Sequence, residues 1–134
     1  MRIAVSGAHR TGKSTLIADL TERLPGYRAV DEPYRLMQDE GHDFADPPSL
    51  DDFVDQLRRS IQVPDEDRAP DLLFDRCPVD LLAYALTHED GEAFDVDEWL
   101  PGERRAALSR ASRRWRGCSF HRPRCSAPGG RGSA

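Results

Sequence analysis

With 134 residues, the chain is long enough for one small domain and too short for two ordinary ones. It contains no apolar run near the roughly 18–20 residues that a membrane span needs, and its first six residues lead into glycine-containing sequence rather than a signal-peptide pattern. Three cysteines without framework spacing favour a reducing environment. We therefore expect a cytoplasmic protein with no membrane partner.

The net charge of −5 conceals a sharp division along the chain. Residues 1–103 carry ten basic residues against all 24 acidic ones, whereas residues 104–134 carry nine arginines and no acid. This Arg/Ser/Gly/Pro-rich tail lacks helix or strand periodicity and has too few large apolar side chains to form a core. One interpretation is a basic arm that binds nucleic acid. We favour the other interpretation, in which the tail is disordered or is an off-frame translation of a GC-rich gene. Nucleic acid is therefore not an expected partner.

The first half of the chain predicts two strands around a helix. Residues 2–6 contain a continuous apolar run, which is typical of strands in parallel sheets covered on both faces. A helix is predicted over residues 13–24, ended by Pro25-Gly26, and a second strand over residues 27–30. The apolar residues that share one face of this helix are Leu16, Ile17, Leu20 and Leu24.

The second half predicts a further strand between amphipathic helices. The helix over residues 49–61 begins at Ser49, which forms a capping-box pattern with Asp52, and Pro64 is expected to follow its end. Residues 72–74 form a third buried strand, after which Pro78 suits the first turn of another helix. A last helix is capped by Asp95 or Asp97. Alternating strands and helices indicate an α/β fold with a parallel sheet.

The segment from Gly7 to Thr15 fits the pattern G-x-x-x-x-G-K-[ST] of a phosphate-binding P-loop. Glycines such as Gly12 let backbone N–H groups turn toward phosphate oxygens, and the helix that follows adds the positive end of its dipole. Lys13, the only lysine of the chain, would reach the β- and γ-phosphates, and the Ser14 hydroxyl would ligate Mg²⁺. A strand before the motif and an amphipathic helix after it make this motif highly specific.

An acid ends the third strand. In Asp75-Arg76, the carboxylate occupies the place where P-loop proteins hold the metal, directly or through water. An acid at a strand end is by itself more often only solvated, but a P-loop some sixty residues earlier favours the metal role. Many motor-type ATPases have a glutamate at this position, which polarises water. An arginine at this position, as in Arg76, instead suits contact with a bound substrate or phosphate.

A second acidic segment, Asp31-Glu32-Pro33, follows the second strand. The end of that strand is expected across the cleft from the phosphates, where a kinase acting on a hydroxyl needs a carboxylate near the attacking oxygen. The alternative, an acidic turn before proline, is equally compatible with the sequence.

At these motifs the chain resembles the nucleoside and nucleotide kinase-like branch of P-loop proteins. Glu32-Pro33 matches the pair whose glutamate is the base in deoxynucleoside kinases, and Asp75-Arg76 matches a pair in thymidylate kinases. The segments 7–15, 30–35 and 74–84 also resemble bacterial AAA-type, NadR-like ATP-binding proteins. The resemblance covers residues 1 to about 103, beyond which family members supply two more strands and an arginine-rich lid. The chain therefore resembles a member that is truncated or frameshifted after residue 103.

The resemblance implies a three-layer α/β P-loop NTPase domain over residues 1–103, with strand order 2-3-1 and the fourth and fifth strands missing. It implies ATP- and Mg²⁺-dependent phosphoryl transfer to a small acceptor, such as a nucleoside or nucleotide. The alternative is a non-catalytic ATP-binding switch or partner-binding module. The implied catalytic residues are Lys13, Glu32, Asp75 and Arg76; the nucleotide-binding residues are Gly7, Gly12, Lys13, Ser14 and Thr15; and the metal ligands are Ser14 and Asp75.

Overall fold

The computed structural model describes residues 1–8 and 10–99 of the chain. Its strands β1 (Arg2–Val5), β2 (Arg28–Val30) and β3 (Leu72–Asp75) form a parallel sheet in the order β1-β3-β2. The predicted α/β class and the strand order 2-3-1 are confirmed. The predicted tail, residues 104–134, and His9 lie outside the described residues.

Five helices connect or follow these strands in the described part of the chain. They are α1 (Lys13–Arg23), α2 (Pro33–Asp39), α3 (Leu50–Glu66), α4 (Pro78–Thr87) and α5 (Val96–Trp99), with a short 3-10 helix at Gly91–Ala93 before α5. Helix α2 was not predicted, although Pro33 in its first turn is a recognised start signal. The start of α5 follows the prediction, because a side-chain oxygen of Asp95 accepts hydrogen bonds from the N–H groups of Asp97 and Glu98.

The end of α3 corrects the sequence-based prediction. The helix continues to Glu66 with Pro64 inside it, rather than ending before that proline. Tertiary contacts outweigh the helix-breaking effect of proline here, since Val63 and Pro64 are both buried. Arg2 also stabilises this helix end by donating hydrogen bonds of 2.5 and 2.6 Å to the carbonyl oxygens of Pro64 and Asp67.

The core is centred on β3, every residue of which is buried. The core cluster comprises Ala4, Val63, Leu72, Phe74 and Cys77. The strand predicted at residues 2–6 is fully buried only at Ala4, because among the described residues β3 is its only strand neighbour. Leu16 likewise lies 48% exposed instead of facing the core, because Ile17 is the residue of α1 that turns inward.

The strand register brings three loops together at one edge of the sheet. Val5 is paired with Asp75, and Val30 with Phe74, so all three parallel strands end at nearly the same level. Because β3 lies between the other two, its last residue separates the loop after β1 from the loop after β2. Ligands of open parallel sheets bind at this carboxyl edge, so the fold places all three predicted motifs where a site is expected.

None of the helices in the described part of the chain has the length and apolar character that a bilayer crossing requires.

Candidate nucleotide and acceptor site

The loop after β1 has the backbone geometry that close approach to phosphate requires. Gly12 has a φ of 81°, in the left-handed region that favours glycine, and it caps α1, the helix that begins at Lys13. A Cβ added at Gly7 would lie 3.3 Å from the Thr11 hydroxyl oxygen, which itself donates to the Ala8 carbonyl at 2.8 Å. The loop is thus closed on itself at the positive end of an eleven-residue helix.

Lys13 lies under this loop as a buried cation. Its Nζ donates a 2.7 Å hydrogen bond to the Ala8 carbonyl oxygen. Burial, and then the nearby guanidinium of Arg76, lower the pKa of Lys13 from its ordinary value, while the carboxylates of the site act in the opposite sense. The ammonium is therefore held where its charge is unfavourable in the free protein, and an anion bound in the loop would relieve that cost.

Ser14 and Asp75 connect the loop to the central strand. The Ser14 hydroxyl donates to Oδ2 of Asp75 at 2.8 Å, although the two residues are 61 positions apart in sequence. Asp75 is buried, and its Oδ1 atom has no hydrogen-bond partner in the described part of the chain. Thr15, the last residue of the motif, is exposed in the first turn of α1.

Arg76 joins the second acidic segment to the same site. Its side chain is almost fully buried, and its Nε donates to Oε2 of Glu32 at 3.1 Å. The guanidinium also contacts the Gly7 carbonyl at 3.4 Å and lies over the Tyr84 ring, 5.2 Å from its centroid. Burial alone would lower the pKa of Arg76, but the hydrogen bonds to Tyr84 and Glu32 raise it overall.

A cavity of about 310 Å³ opens beside this ion pair. Glu32 and Arg76 line it together with aromatic and apolar residues and one amide. The cavity is lined by Glu32, Tyr34, Pro48, Phe53, Gln56, Arg76, Leu81 and Tyr84. Its size is at the lower end of the range for small-molecule sites. The structure thus brings all the sequence-predicted residues to one edge of the sheet, with a separate cavity beside the phosphate loop.

Comparison with known families agrees with this geometry. The model of the AAA domain family matches residues 2–114, which is most of the chain and extends past Glu103. The chain belongs to the AAA domain family. No curated protein and no solved structure matches it significantly. Membership in this family implies a nucleotide-binding domain of the ATPase type that binds ATP, and the P-loop motif at residues 7–15 lies within the matched range.

The residues of this AAA domain fit a nucleotide bound with a hard cation. The carboxylate of Asp75 accepts from the Ser14 hydroxyl through Oδ2, its buried Oδ1 atom has no partner among the described residues, and Mg²⁺ prefers such oxygen ligands. Among the described residues, no group of three or more His, Cys, Asp or Glu side chains is arranged to hold a metal ion alone. Mg²⁺ would therefore be held by Ser14 and Asp75 with the help of the phosphates, as is usual at phosphate sites.

Sequence reasoning missed a buried carboxylate that connects two parts of the AAA domain. Oδ1 of Asp80 accepts a hydrogen bond from the Ser6 hydroxyl, and its Oδ2 accepts one from the Cys77 N–H at 3.3 Å. The start of the P-loop is thereby attached to the start of α4. The spacing from Cys77 to Asp80, which is that of a capping box, is the signal that could have identified it.

The cavity wall was also missed, apart from Glu32 and Arg76. None of Phe53, Gln56 and Tyr84 was predicted from the sequence as a binding residue. The available signal was Gln56, a polar residue three positions after Phe53 and therefore on the same face of the helix.

Proposed function

We propose that this AAA domain transfers the γ-phosphoryl group of ATP to a hydroxyl of a small acceptor bound in the cavity, in a Mg²⁺-dependent reaction. The single observation that carries the proposal is the Glu32–Arg76 ion pair, which places a carboxylate and a guanidinium between the phosphate loop and the cavity. A domain that only bound or hydrolysed ATP would need no second cavity at this position. Nucleosides and nucleotides are the acceptor classes that the sequence resemblance favours.

Each site residue has a distinct task in this mechanism. Lys13 and the backbone of the loop hold the phosphates, and Ser14 and Asp75 hold the cation. When bound, Mg²⁺ would neutralise charge on the phosphate oxygens. Arg76, fixed between Gly7 and Glu32, is positioned to orient the acceptor or stabilise the transferred group.

Glu32 is the proposed general base. Its Oε2 accepts from Arg76, whereas Oε1 has no hydrogen-bond partner among the described residues, so one oxygen remains available to the cavity. Glu32 takes the proton of the acceptor hydroxyl as that oxygen bonds to the γ-phosphorus. The bond from phosphorus to the departing oxygen breaks, and ADP leaves with the electron pair. General-base catalysis of this kind contributes roughly 10²- to 10⁴-fold to a rate.

Acceptor dependence tests the proposal. ADP release by the full chain should rise severalfold when a nucleoside or nucleotide panel is added to Mg-ATP, and a phosphorylated acceptor should be detectable by mass spectrometry. Asp75→Asn should raise the Mg²⁺ concentration needed for ATP binding. ATP turnover that no acceptor changes, with no phosphorylated product, would refute phosphoryl transfer to a small acceptor. ATP binding without turnover, whichever acceptor is added, would favour a non-catalytic switch or partner-binding module.

A further inference from the structure

We infer that Ser6 and Asp80 are positioning residues, whose contact holds the start of the P-loop against the segment that carries Arg76. The two joined segments are residues 5–7, which end β1 and begin the P-loop, and residues 75–80, which end β3 and begin α4. This inference deepens the proposed function and rests on it for the effect on catalysis. The contacts themselves do not depend on phosphoryl transfer.

Three consecutive residues of the first segment are each bonded to the second. The Val5 carbonyl oxygen accepts from the backbone N–H of Arg76 at 3.0 Å. The Ser6 hydroxyl donates to Oδ1 of Asp80, and the Gly7 carbonyl oxygen accepts from Nη1 of Arg76 at 3.4 Å. The Ser6–Asp80 contact is therefore flanked by the contacts that hold the backbone and the guanidinium of Arg76.

Asp80 does more than cap its own helix. As the third residue of α4, it needs one oxygen for the capping box, and Oδ2 serves this purpose by accepting from the Cys77 N–H at 3.3 Å. The other oxygen, Oδ1, bonds to Ser6, a residue 74 positions earlier. By contrast, Asp52 at the same place in α3 bonds to the loop just before its own helix. The contact with Ser6 is thus additional to helix capping.

Burial makes this contact a strong restraint. Ser6 and Asp80 are each only 8% exposed. A hydrogen bond from a hydroxyl to a carboxylate is short and strong, and low exposure strengthens it further. The bond therefore restricts the positions that the two segments can adopt relative to each other.

The consequence of this restraint concerns Arg76. Its guanidinium lies between Oε2 of Glu32, at 3.1 Å from Nε, and the Gly7 carbonyl oxygen. Because Ser6 directly precedes Gly7, a displaced Ser6 would move that carbonyl oxygen and the guanidinium bonded to it. A misplacement of about 1 Å can slow an enzyme about 100-fold. The contact therefore supports catalysis by aligning Arg76 with the phosphate loop.

Hydrogen exchange tests the positioning without requiring any reaction. In the full chain, the Nε–H proton of Arg76 should exchange slowly with water, and Ser6→Ala should speed that exchange tenfold or more. The backbone N–H of Leu57, a buried residue of α3, is the reference. A general loss of stability would speed both protons by the same factor, because both would exchange through global unfolding.

Thr21→Ala is the matched control for Ser6→Ala. The Thr21 hydroxyl also makes one hydrogen bond, but it donates to the Ile17 carbonyl oxygen within α1, at 2.8 Å. Its removal should leave the exchange of Arg76 relative to Leu57 unchanged.

Transfer kinetics test the effect on catalysis. At saturating Mg-ATP and below the melting range of every variant, Ser6→Ala and Asp80→Asn should each slow single-turnover transfer about tenfold, with Mg-ATP affinity nearly unchanged. Asp80→Asn keeps one oxygen for the Cys77 N–H, so α4 can remain capped. The double variant should be no slower than the slower single variant, because both changes remove the same contact. Thr21→Ala should transfer at the wild-type rate.

Two results would overturn the inference. One is exchange of the Arg76 Nε–H proton that Ser6→Ala speeds no more than exchange of the Leu57 N–H. The other is a double variant whose loss in rate is the product of the two single losses, which would give Ser6 and Asp80 independent roles.

The inference and the proposed function can fail independently. Selectively faster exchange at Arg76 in the Ser6 and Asp80 variants, in a chain that phosphorylates no acceptor, would support the positioning role and refute phosphoryl transfer. Wild-type transfer rates in both variants would support phosphoryl transfer and overturn the positioning role.

Discussion

Arg76 combines a buried side chain with an unfavourable backbone conformation. Its φ of 83° lies in the left-handed region, which costs a residue with a Cβ about 1–2 kcal/mol. We therefore predict that Arg76→Gly is more stable than Arg76→Ala by about 1 kcal/mol, because both variants lose the guanidinium and only alanine keeps the strain. Chemical denaturation of the two variants measures the difference.

The exposed helical residue Arg58 is the matched control for this comparison. Because Arg58 lies inside α3, the Arg58→Gly variant should be less stable than the Arg58→Ala variant by about 1 kcal/mol. This is the reverse of the order expected at position 76. The same order at both positions would show that the backbone of Arg76 is not strained in solution.

Lys13 is expected to reduce the stability of the free protein. Because burial lowers its pKa, the charged ammonium destabilises the folded state at every pH below that lowered pKa, and the penalty disappears only as the pH rises above it. At pH 7, Lys13→Met should therefore melt at or above the wild-type temperature. With Mg-ATP the wild type should melt at the higher temperature. Mg-ATP at 100 times its Kd adds about 2.7 kcal/mol to the free energy of unfolding of a protein that binds it.

Arg10→Met is the control for the Lys13 variant. Arg10 is an exposed residue of the same loop, so its replacement should leave the stabilisation by Mg-ATP unchanged. Equal thermal shifts with Mg-ATP in the Lys13→Met variant and in wild type would contradict the assignment of Lys13 to the phosphates.

At the scale of elements, α3 depends on its first turn. The Ser49 hydroxyl accepts from the Asp52 N–H at 3.2 Å, and Oδ2 of Asp52 accepts from the Ser49 N–H at 2.8 Å, which completes a capping box. Ser49→Ala should destabilise the protein by about 1 kcal/mol. Because α3 carries Phe53 and Gln56, the variant should also weaken acceptor binding, while Mg-ATP affinity stays unchanged.

Asp52 should make this helix start sensitive to acid. Burial alone would raise its pKa, but hydrogen bonds from Ser49, Ala45 and His42 lower the pKa overall. Its stabilisation is therefore complete above the ordinary carboxyl pKa and is lost as the pH falls through the lowered value. Asp52→Asn should melt well below wild type at pH 7, and this difference in melting temperature should become smaller below about pH 4. A difference independent of pH would contradict this account.

The strands and the P-loop were predictable because their signals are local. A continuous apolar run marks a parallel strand, and the spacing of Gly7, Gly12 and Lys13 is specific by itself. The end of α3 was not predictable in the same way. Pro64 stays inside the helix only because of burial and the hydrogen bonds from Arg2, a residue 62 positions earlier.

The candidate site was predictable as a set of motifs but not as a cavity. The sequence indicated that Glu32 and Arg76 follow neighbouring strands, yet the contact between them spans 44 positions and involves an arginine with a left-handed backbone. Helical periodicity places Gln56 beside Phe53 but does not reveal that Tyr84 of α4 packs against that face. Contacts between elements depend on the packing of whole helices, which local patterns do not encode.

At the scale of the whole molecule, the sheet order connects nucleotide binding to the cavity. Strand β3 lies between β1 and β2, so consecutive residues at its end serve different partners: Asp75 contacts Ser14, and Arg76 contacts Glu32. The nucleotide and the acceptor would therefore be held by one rigid element. Precise alignment of two reactants in this way is a major source of rate enhancement.

Single-turnover transfer tests this account most directly. The full chain, mixed with γ-labelled ATP, Mg²⁺ and the nucleoside that binds most tightly, should move the label to the nucleoside. Glu32→Gln should slow that step by about 100-fold or more with unchanged ATP affinity, whereas Glu40→Gln, an exposed control, should match wild type. Equal rates in the Glu32→Gln variant and wild type, or label released only as inorganic phosphate, would contradict the account.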